Sequence, residues 1–327
     1  MPRGIASRCY HSLCTATAQT TVPSTQSGND MSLAKRSKNI TAPDHISWSS
    51  LSTWVECGEK WRLKYGYRAE RSTWYATIAG STIHEITESY DKGNTDKLPS
   101  FVELFSQKVD EKISEGVEVK PSGRVTKTMC ETGGPNKKDR EWWYRAGPVY
   151  VQRWINWRKT HPEYVIADID GVPGIEYAIT YRIGDIDLVG YADRVMQDND
   201  TGDLFILDLK TGTIPTGGMQ LLTYRLGLKE AHGMDVGLGM FWTPQAVKKE
   251  SSHGTGYDTG LIDLTRVDIA AIRNMYTQAV TGISAGVFVP HVTPMCQGCP
   301  VRDSCWAVNG INAKRYPTQS IVTAKEG

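Results

Sequence analysis

The stretch from Ile186 to Tyr224, IDLVGYADRVMQDNDTGDLFILDLKTGTIPTGGMQLLTY, constrains the fold more than any other part of the chain. Two runs rich in Val, Ile and Leu flank the turn cluster Asp198-Asn199-Asp200-Thr201-Gly202. This pattern predicts two strands joined by a tight connection, then a Gly/Pro/Thr loop and a short helix. Side chains alternate between the faces of a strand, so Asp208 and Lys210 emerge together while Leu207 and Leu209 point the other way. Pairing across the turn brings Asp193 beside them. Two carboxylates and an amine around one point suit a divalent cation.

The flanking segments supply a frame for this hairpin. GIEYAITYRI predicts a preceding strand, with Glu176, Ala178 and Thr180 on one face and Ile175, Tyr177 and Ile179 on the other. Glu176 is either a further acid beside the metal group or, more commonly for such a position, a charge on the solvent face of an edge strand. VGLGMFWT predicts another strand after the short helix, and a helix is expected from Leu264 to Ala285. Upstream, SWSSLSTWVECGEKWRLKY predicts one helix capped by Ser49 or Ser50, with Trp54, Cys57, Trp61 and Tyr65 on its inner face. Lys60, Arg62, Lys64, Arg68 and Arg71 are read as a solvated basic side. A second helix, IAGSTIHEITESYDKG, has the apolar stripe Ile83, Ile86 and Tyr90 and carries His84 and Glu88 on a different face. Residues 98–160 are expected to be helical around a polar loop, with their tryptophans packed as core rather than stacked on bases. Strands separated by helices, with helices at both ends, predict an α/β fold: a mixed central β-sheet flanked by helices, in one domain over 41–310. Residues 1–40, poor in acids and in periodicity, are expected to be a disordered tail or an over-extended start, and 311–327 a flexible C-terminal tail. Arg/Ser-rich starts also occur in organellar transit peptides, the weaker reading here.

Thirty-seven basic residues against 36 acidic ones leave a net charge of +1, so any polyanion must be held by a local patch. No apolar run approaches the ~18 residues needed to span a membrane. Seven cysteines, three of them in the C-x2-C-x5-C run Cys296, Cys299 and Cys305, fit metal ligation in a reducing cytoplasm better than a disulfide scaffold. Cys57, in an expected helix, is the best-placed fourth thiolate, whereas Cys9, Cys14 and Cys130 fall in expected tail or loop. Four thiolates accept either zinc or an iron–sulfur cluster. Either would clip the two ends of the domain together.

D/E-x-K by itself means little, and the chain repeats it at Asp110–Lys112 and Glu118–Lys120. GYADR, DLK and QLLTY in that order, downstream of GSTIHEITE, are another matter: they resemble the PD-(D/E)XK nuclease superfamily, in its RecB/AddB-like branch with the iron–sulfur CRISPR-associated exonucleases and their phage relatives. The resemblance runs from about Ser47 to Trp306. It implies a restriction-endonuclease-like core and an active site of His84, Asp193, Asp208, Lys210, Gln220 and Tyr224, with His84, Asp193 and Asp208 holding Mg2+ or Mn2+. It also implies a 4Fe-4S cluster on Cys57, Cys296, Cys299 and Cys305, with structural Zn2+ as the alternative. The activity implied is metal-dependent exonuclease cleavage of DNA with free ends or single strands, in end processing, recombination or phage replication. The other reading is a catalytically weak DNA-end-binding or adaptor subunit, against which the complete residue set counts. The chain contains no G-x-x-x-x-G-K-[ST], so a helicase motor would have to come from a partner.

Overall fold

The computed structural model describes residues 45–69, 72–122, 137–184, 186–245 and 254–318. The tail expected over 1–40, together with Cys9, Cys14 and Cys130, lies outside them. In chain order the strands are β1 (His45–Ile46), β2 (Thr73–Trp74), β3 (Val119–Lys120), β4 (Tyr164–Ile166), β5 (Asp168–Ile169), β6 (Val172–Pro173), β7 (Ile175–Ile183), β8 (Ile186–Asp198), β9 (Leu204–Leu209), β10 (Leu238–Thr243), β11 (Tyr257–Asp258) and β12 (Ile262–Asp263). The helices are α1 (Trp48–Glu56), α2 (Gly58–Trp61), α3 (Tyr75–Asp91), α4 (Phe101–Ser114), α5 (Arg140–Thr160), α6 (Met219–His232) and α7 (Ile269–Ser284).

The 13-residue β8 organises a mixed eight-stranded sheet. Antiparallel β7 runs along one of its edges, from Ile175 opposite Arg194 to Ile183 opposite Ile186, and β4 continues that edge. The other edge is shared: β1 pairs in parallel with Asp187 and Leu188, and antiparallel β9 pairs from Arg194 (opposite Leu207) to Gln197 (opposite Leu204). Parallel β10 extends the sheet beyond β9, and β11 and β12 close it.

Helices cover both faces, as the pattern of apolar strands predicts. On one face Leu222, Tyr224 and Leu226 of α6 and Ile272, Tyr276 and Ile283 of α7 pack on Tyr177, Ile179, Leu188 and Ile206. On the other, Trp154 and Trp157 of α5 lie over Met196, Phe205, Leu207 and Trp242. Burying each large side chain of these layers contributes about 1.5–3 kcal/mol. Beyond this, α3, α4 and the start of α5 form a helical annex around Ile83, Phe105, Trp142 and Trp143, so the tryptophans of α5 are core.

Several boundaries differ from those expected. The helix through Cys57 is broken: α1 stops at Glu56, and Cys57 is extended at φ −164° and ψ 108° before α2 restarts. Gly58 explains the break, because its N–H bonds Val289 O at 2.9 Å and a Cβ there would lie 2.7 Å from Phe288 Cα. The N-cap is Ser47, which accepts the Ser50 N–H, rather than Ser49 or Ser50. Arg62 is not a solvated base; it is buried, bonded to both oxygens of Glu59 at 2.6 and 2.7 Å. It also donates to Pro317 O at 2.8 Å, and Tyr316 is buried nearby, so residues 311–318 are anchored where a tail was expected. The last long helix starts at Ile269, capped by Asp268, after a separate turn at Leu264–Arg266.

Candidate active site

The site lies where β8 forks. Between Leu188 and Arg194 the edge of β8 has no ladder partner among the described residues, since β1 has ended and β9 has not begun. Strict alternation also fails here: Ala192 and Val195, three apart, enter the same core layer, while Met196 enters the opposite one. The partner strand carries the matching irregularity at Glu176, whose φ of +44° is a left-handed conformation that costs a non-glycine residue of order 1 kcal/mol or more. Continuing the register on either side places Asp193 between Glu176 on β7 and Asp208 on β9. Three carboxylates therefore stand in a row across three strands.

His84 approaches from α3. Its Nδ1 lies 3.5 Å from Asp193 Oδ1 and 3.9 Å from Glu176 Oε1, and ligand atoms of these three residues all fall within 4.8 Å of one another. Glu176, one of whose two expected readings was a further acid beside the metal group, is the third member of this trio. Asp208 flanks Asp193 on the other side. Asp193 Oδ2 accepts the Leu209 N–H at 2.7 Å, which fixes the carboxylate between its neighbours.

Lys210, Gln220 and Tyr224 come together as the sequence suggested. Lys210 Nζ is 2.5 Å from Asp208 Oδ2 and donates to Gln220 Oε1 at 2.8 Å, and Gln220 Nε2 donates to Tyr224 Oη at 2.7 Å. Among the described residues no hydrogen bond is formed to either Asp208 oxygen or to Glu176 Oε1, whose nearest cations are Lys210 Nζ, 2.5 Å from Asp208 Oδ2, and Arg194 Nη1, 3.6 Å from Glu176 Oε1. The Tyr224 ring reaches this position over Gly190, where a Cβ would sit 3.4 Å from it. Burial opposes a charged His84, but the adjacent Asp193 and Glu176 carboxylates outweigh burial and push the imidazole up to about 10. Burial, reinforced by the Asp193 charge against the pull of Lys210, pushes Asp208 up to about 6. Asp193 is lowered despite its burial, because His84, Lys210 and the Leu209 N–H favour its anion.

A buried charge network fastens α3 to β8. Arg194 is fully buried and donates from Nε to Asp91 Oδ2 at 2.7 Å and from Nη1 to Asp193 O at 2.5 Å. Asp91 also receives the Trp154 indole N–H and Arg158 Nε. The sequence reading assigned no role to Asp91 or Arg194. His84, Thr87 and Asp91 form a polar stripe at i, i+3 and i+7, and that stripe was the available signal. Glu88, one turn on from His84, pairs with Lys92 and stays out of the metal trio. Of the decoy D/E-x-K copies, Asp110 is engaged by Arg140, and Glu118 pairs with its own Lys120. Asp91→Ala takes from buried Arg194 its close carboxylate, leaving only Glu176 Oε1 at 3.6 Å, so it is expected to cost about 3 kcal/mol in urea unfolding. An Asp91→Ala protein as stable as the parent would exclude the network as the tether of α3.

Cys57, Cys296, Cys299 and Cys305 line a single cavity with His291, Lys60 and Arg302. The Cys57 sulfur accepts N–H groups of Lys60 (3.4 Å) and His291 (3.3 Å), and the Cys296 sulfur that of Thr293 (3.4 Å). Partial burial raises the Cys305 thiol.

A sequence model of the PD-(D/E)XK nuclease superfamily matches residues 45–306. Gene 69 protein of Mycobacterium phage D29 is 29% identical over 171 residues, which are 52% of this chain and 61% of that protein. The chain therefore spans less than two thirds of that relative. The crystal structure of SSO0001 aligns over 82% of this chain and 88% of its own, at 12% identity and a TM-score of 0.33.

Proposed function

The chain belongs to the PD-(D/E)XK nuclease superfamily, and from that premise we propose that it is a Mg2+- or Mn2+-dependent deoxyribonuclease that degrades DNA from free ends. The observation that carries this reading is the row Glu176–Asp193–Asp208 between His84 and Lys210, with buried carboxylate oxygens on both outer members that no hydrogen bond satisfies. Orphaned acceptors of this kind fit a hard cation. Asp193 would be the central ligand, with Glu176, Asp208 and His84 around it; the imidazole moves the preference toward Mn2+. A bound cation supplies hydroxide near neutral pH and charge stabilisation on the phosphate. Lys210 positions the attacking water and offsets the developing negative charge, while Gln220 and Tyr224 hold the lysine in place. A role in end processing, recombination or phage replication accords with the phage relative, and a motor would come from a partner. Among the described residues no helix is long and apolar enough to cross a membrane, and the thiols suit a reducing cytoplasm.

The cysteine cavity supports a 4Fe-4S cluster. Four thiols lining one cavity fit four-thiolate ligation, for which structural Zn2+ is the alternative occupant. Cys57, Cys296, Cys299 and Cys305 would hold the cluster, with backbone N–H groups directed at two of the sulfurs.

Anaerobically purified protein should be brown and should degrade end-labelled linear DNA with Mn2+ or Mg2+ but not with EDTA. Equal cleavage of covalently closed circles would replace the exonuclease reading with an endonuclease one. Metal binding is expected to be pH-dependent. With its pKa at about 10, His84 is protonated at neutral pH and must lose that proton to become a ligand. Calorimetry in buffers of different ionisation enthalpy should therefore show about one proton released per Mn2+, and affinity rising with pH by about tenfold per unit. In His84→Gln both the proton release and the steepest part of the slope should vanish.

A further inference from the structure

Lys210 stands one residue beyond the end of β9, where its backbone depends on β10. The parallel ladder between these strands runs to Leu209 opposite Trp242, and the Lys210 N–H extends it by one bond to Trp242 O at 2.7 Å. The next bond of a parallel ladder would bring the N–H of residue 244 to Lys210 O. Residue 244 is a proline, which has no N–H, so the ladder cannot hold the chain past the lysine. Two side chains at the end of β10 take over. Gln245 Nε2 donates to Thr211 O at 2.8 Å, and Thr243 Oγ1 donates to Gly212 O at 3.4 Å. Thr243 is buried, and its hydroxyl also accepts the Gln245 N–H at 3.2 Å. Arg153 of α5 donates to Pro244 O, which braces the same turn from the helix layer.

We infer that Gln245, supported by Thr243, is a positioning residue for Lys210. This rests on the nuclease reading, in which the ammonium must stand at a fixed point beside Asp208. Gln220 and Tyr224 fix the far end of the lysine side chain, while Gln245 and Thr243 fix the backbone from which that side chain starts. The turn after Lys210 has little else to hold it. A Cβ at Gly212 would meet nothing within 4 Å, so packing does not lock this part of the chain. Without the two side-chain bonds the backbone after the lysine is free to swing, and the ammonium moves with it. A misplacement of about 1 Å in a group that acts on the transition state costs up to about 10²-fold in rate. Among the described residues Gln245 bonds to none of the carboxylates of the row, so its effect passes through the lysine.

The test is Gln245→Met, which keeps the length of the side chain and removes its donor. With linear DNA and Mn2+, kcat should fall by about tenfold while KM and Mn2+ affinity stay near the parent values. Thr243→Val should also lose activity, and Thr243→Ser, which keeps the hydroxyl, should recover most of that loss. Adding Gln245→Met to Lys210→Ala should slow hydrolysis no further, because a residue that acts only through the lysine then has nothing to position. Parent kcat in Gln245→Met, or the same fold-loss with and without Lys210, would overturn the proposal while leaving the nuclease. A second readout needs no activity: the Lys210 amide hydrogen, bonded to Trp242 O, should exchange about tenfold faster in Gln245→Met. Unchanged exchange would remove the clamp whether or not DNA is cleaved. A wild type that cleaves no DNA with either metal would remove the nuclease reading, and faster exchange in the variant would then keep the clamp on Lys210.

Discussion

Lys210→Ala is expected to lower the rate of DNA hydrolysis by about 10²–10³-fold, the scale on which removal of one group that stabilises transition-state charge is felt. Lys210 Nζ contacts Asp208 Oδ2 at 2.5 Å and Gln220 Oε1 at 2.8 Å, and the Tyr224 hydroxyl backs the glutamine. The ammonium is thus held at a fixed point beside the carboxylate row. Removing it has a second consequence. Burial already raises the Asp208 carboxyl to about 6, and Lys210 is what pulls against that rise. Without the lysine the carboxyl titrates higher still, so residual activity should lose its acid limb at a higher pH than in the parent. Loss of the ionised form proceeds as pH falls through the folded-state value, which gives the direction of the shift. Circular dichroism and Mn2+ binding at alkaline pH should remain close to wild type. Full hydrolytic activity in Lys210→Ala would overturn the proposed role, and an unshifted acid limb would remove the coupling to Asp208.

The parts of the site that were legible in the sequence are those set by local period. Asp208 and Lys210 share a strand face, Gln220 and Tyr224 share a helix face, and Asp193 meets Asp208 because the turn at Asp198–Gly202 fixes the hairpin register. Glu176 could not be decided at that level. Its place beside His84 depends on a left-handed residue that lets β7 follow the change of face in β8, and period-2 alternation contains no such feature. The ion pair between Asp91 and Arg194 spans two elements far apart in the chain, so neither residue announces the other. The interruption at Cys57 is likewise imposed from a distance, by the backbone at Phe288 and Val289 pressing on Gly58. Helical spacing around Cys57 was therefore correct as a pattern and wrong as a conformation. Arg62 is the same case, since a basic residue on the exposed-looking side of the helix is buried by its pairing with Glu59 and the returning C-terminal segment.

Cys299→Ala and Cys57→Ala are expected to bleach the protein and lower its melting temperature together, by about 5–10 °C if the loss is ~3–5 kcal/mol in a domain of this size. The reasoning starts from what the cysteines join. Around Cys57 the chain is tied to the C-terminal segment by Trp54 Nε1 to Val287 O (2.9 Å), Gly58 N–H to Val289 O (2.9 Å) and His291 N–H to the Cys57 sulfur (3.3 Å). These bonds are individually weak, about 0.5–1.5 kcal/mol net, and two of them are partly exposed. A group bound by all four thiolates would hold both segments at once and limit the freedom of a very long loop. Its loss reaches the active site through the same route: α1 packs on α7, both belong to the layer under β7 and β8, and β1 pairs with β8 at the lip of the fork. Activity should accordingly fall with stability, and lowering the assay temperature should restore part of it. Bleached protein with an unchanged melting temperature would argue for an occupant that does not staple the fold. Unchanged melting together with retained colour would exclude these cysteines as its ligands.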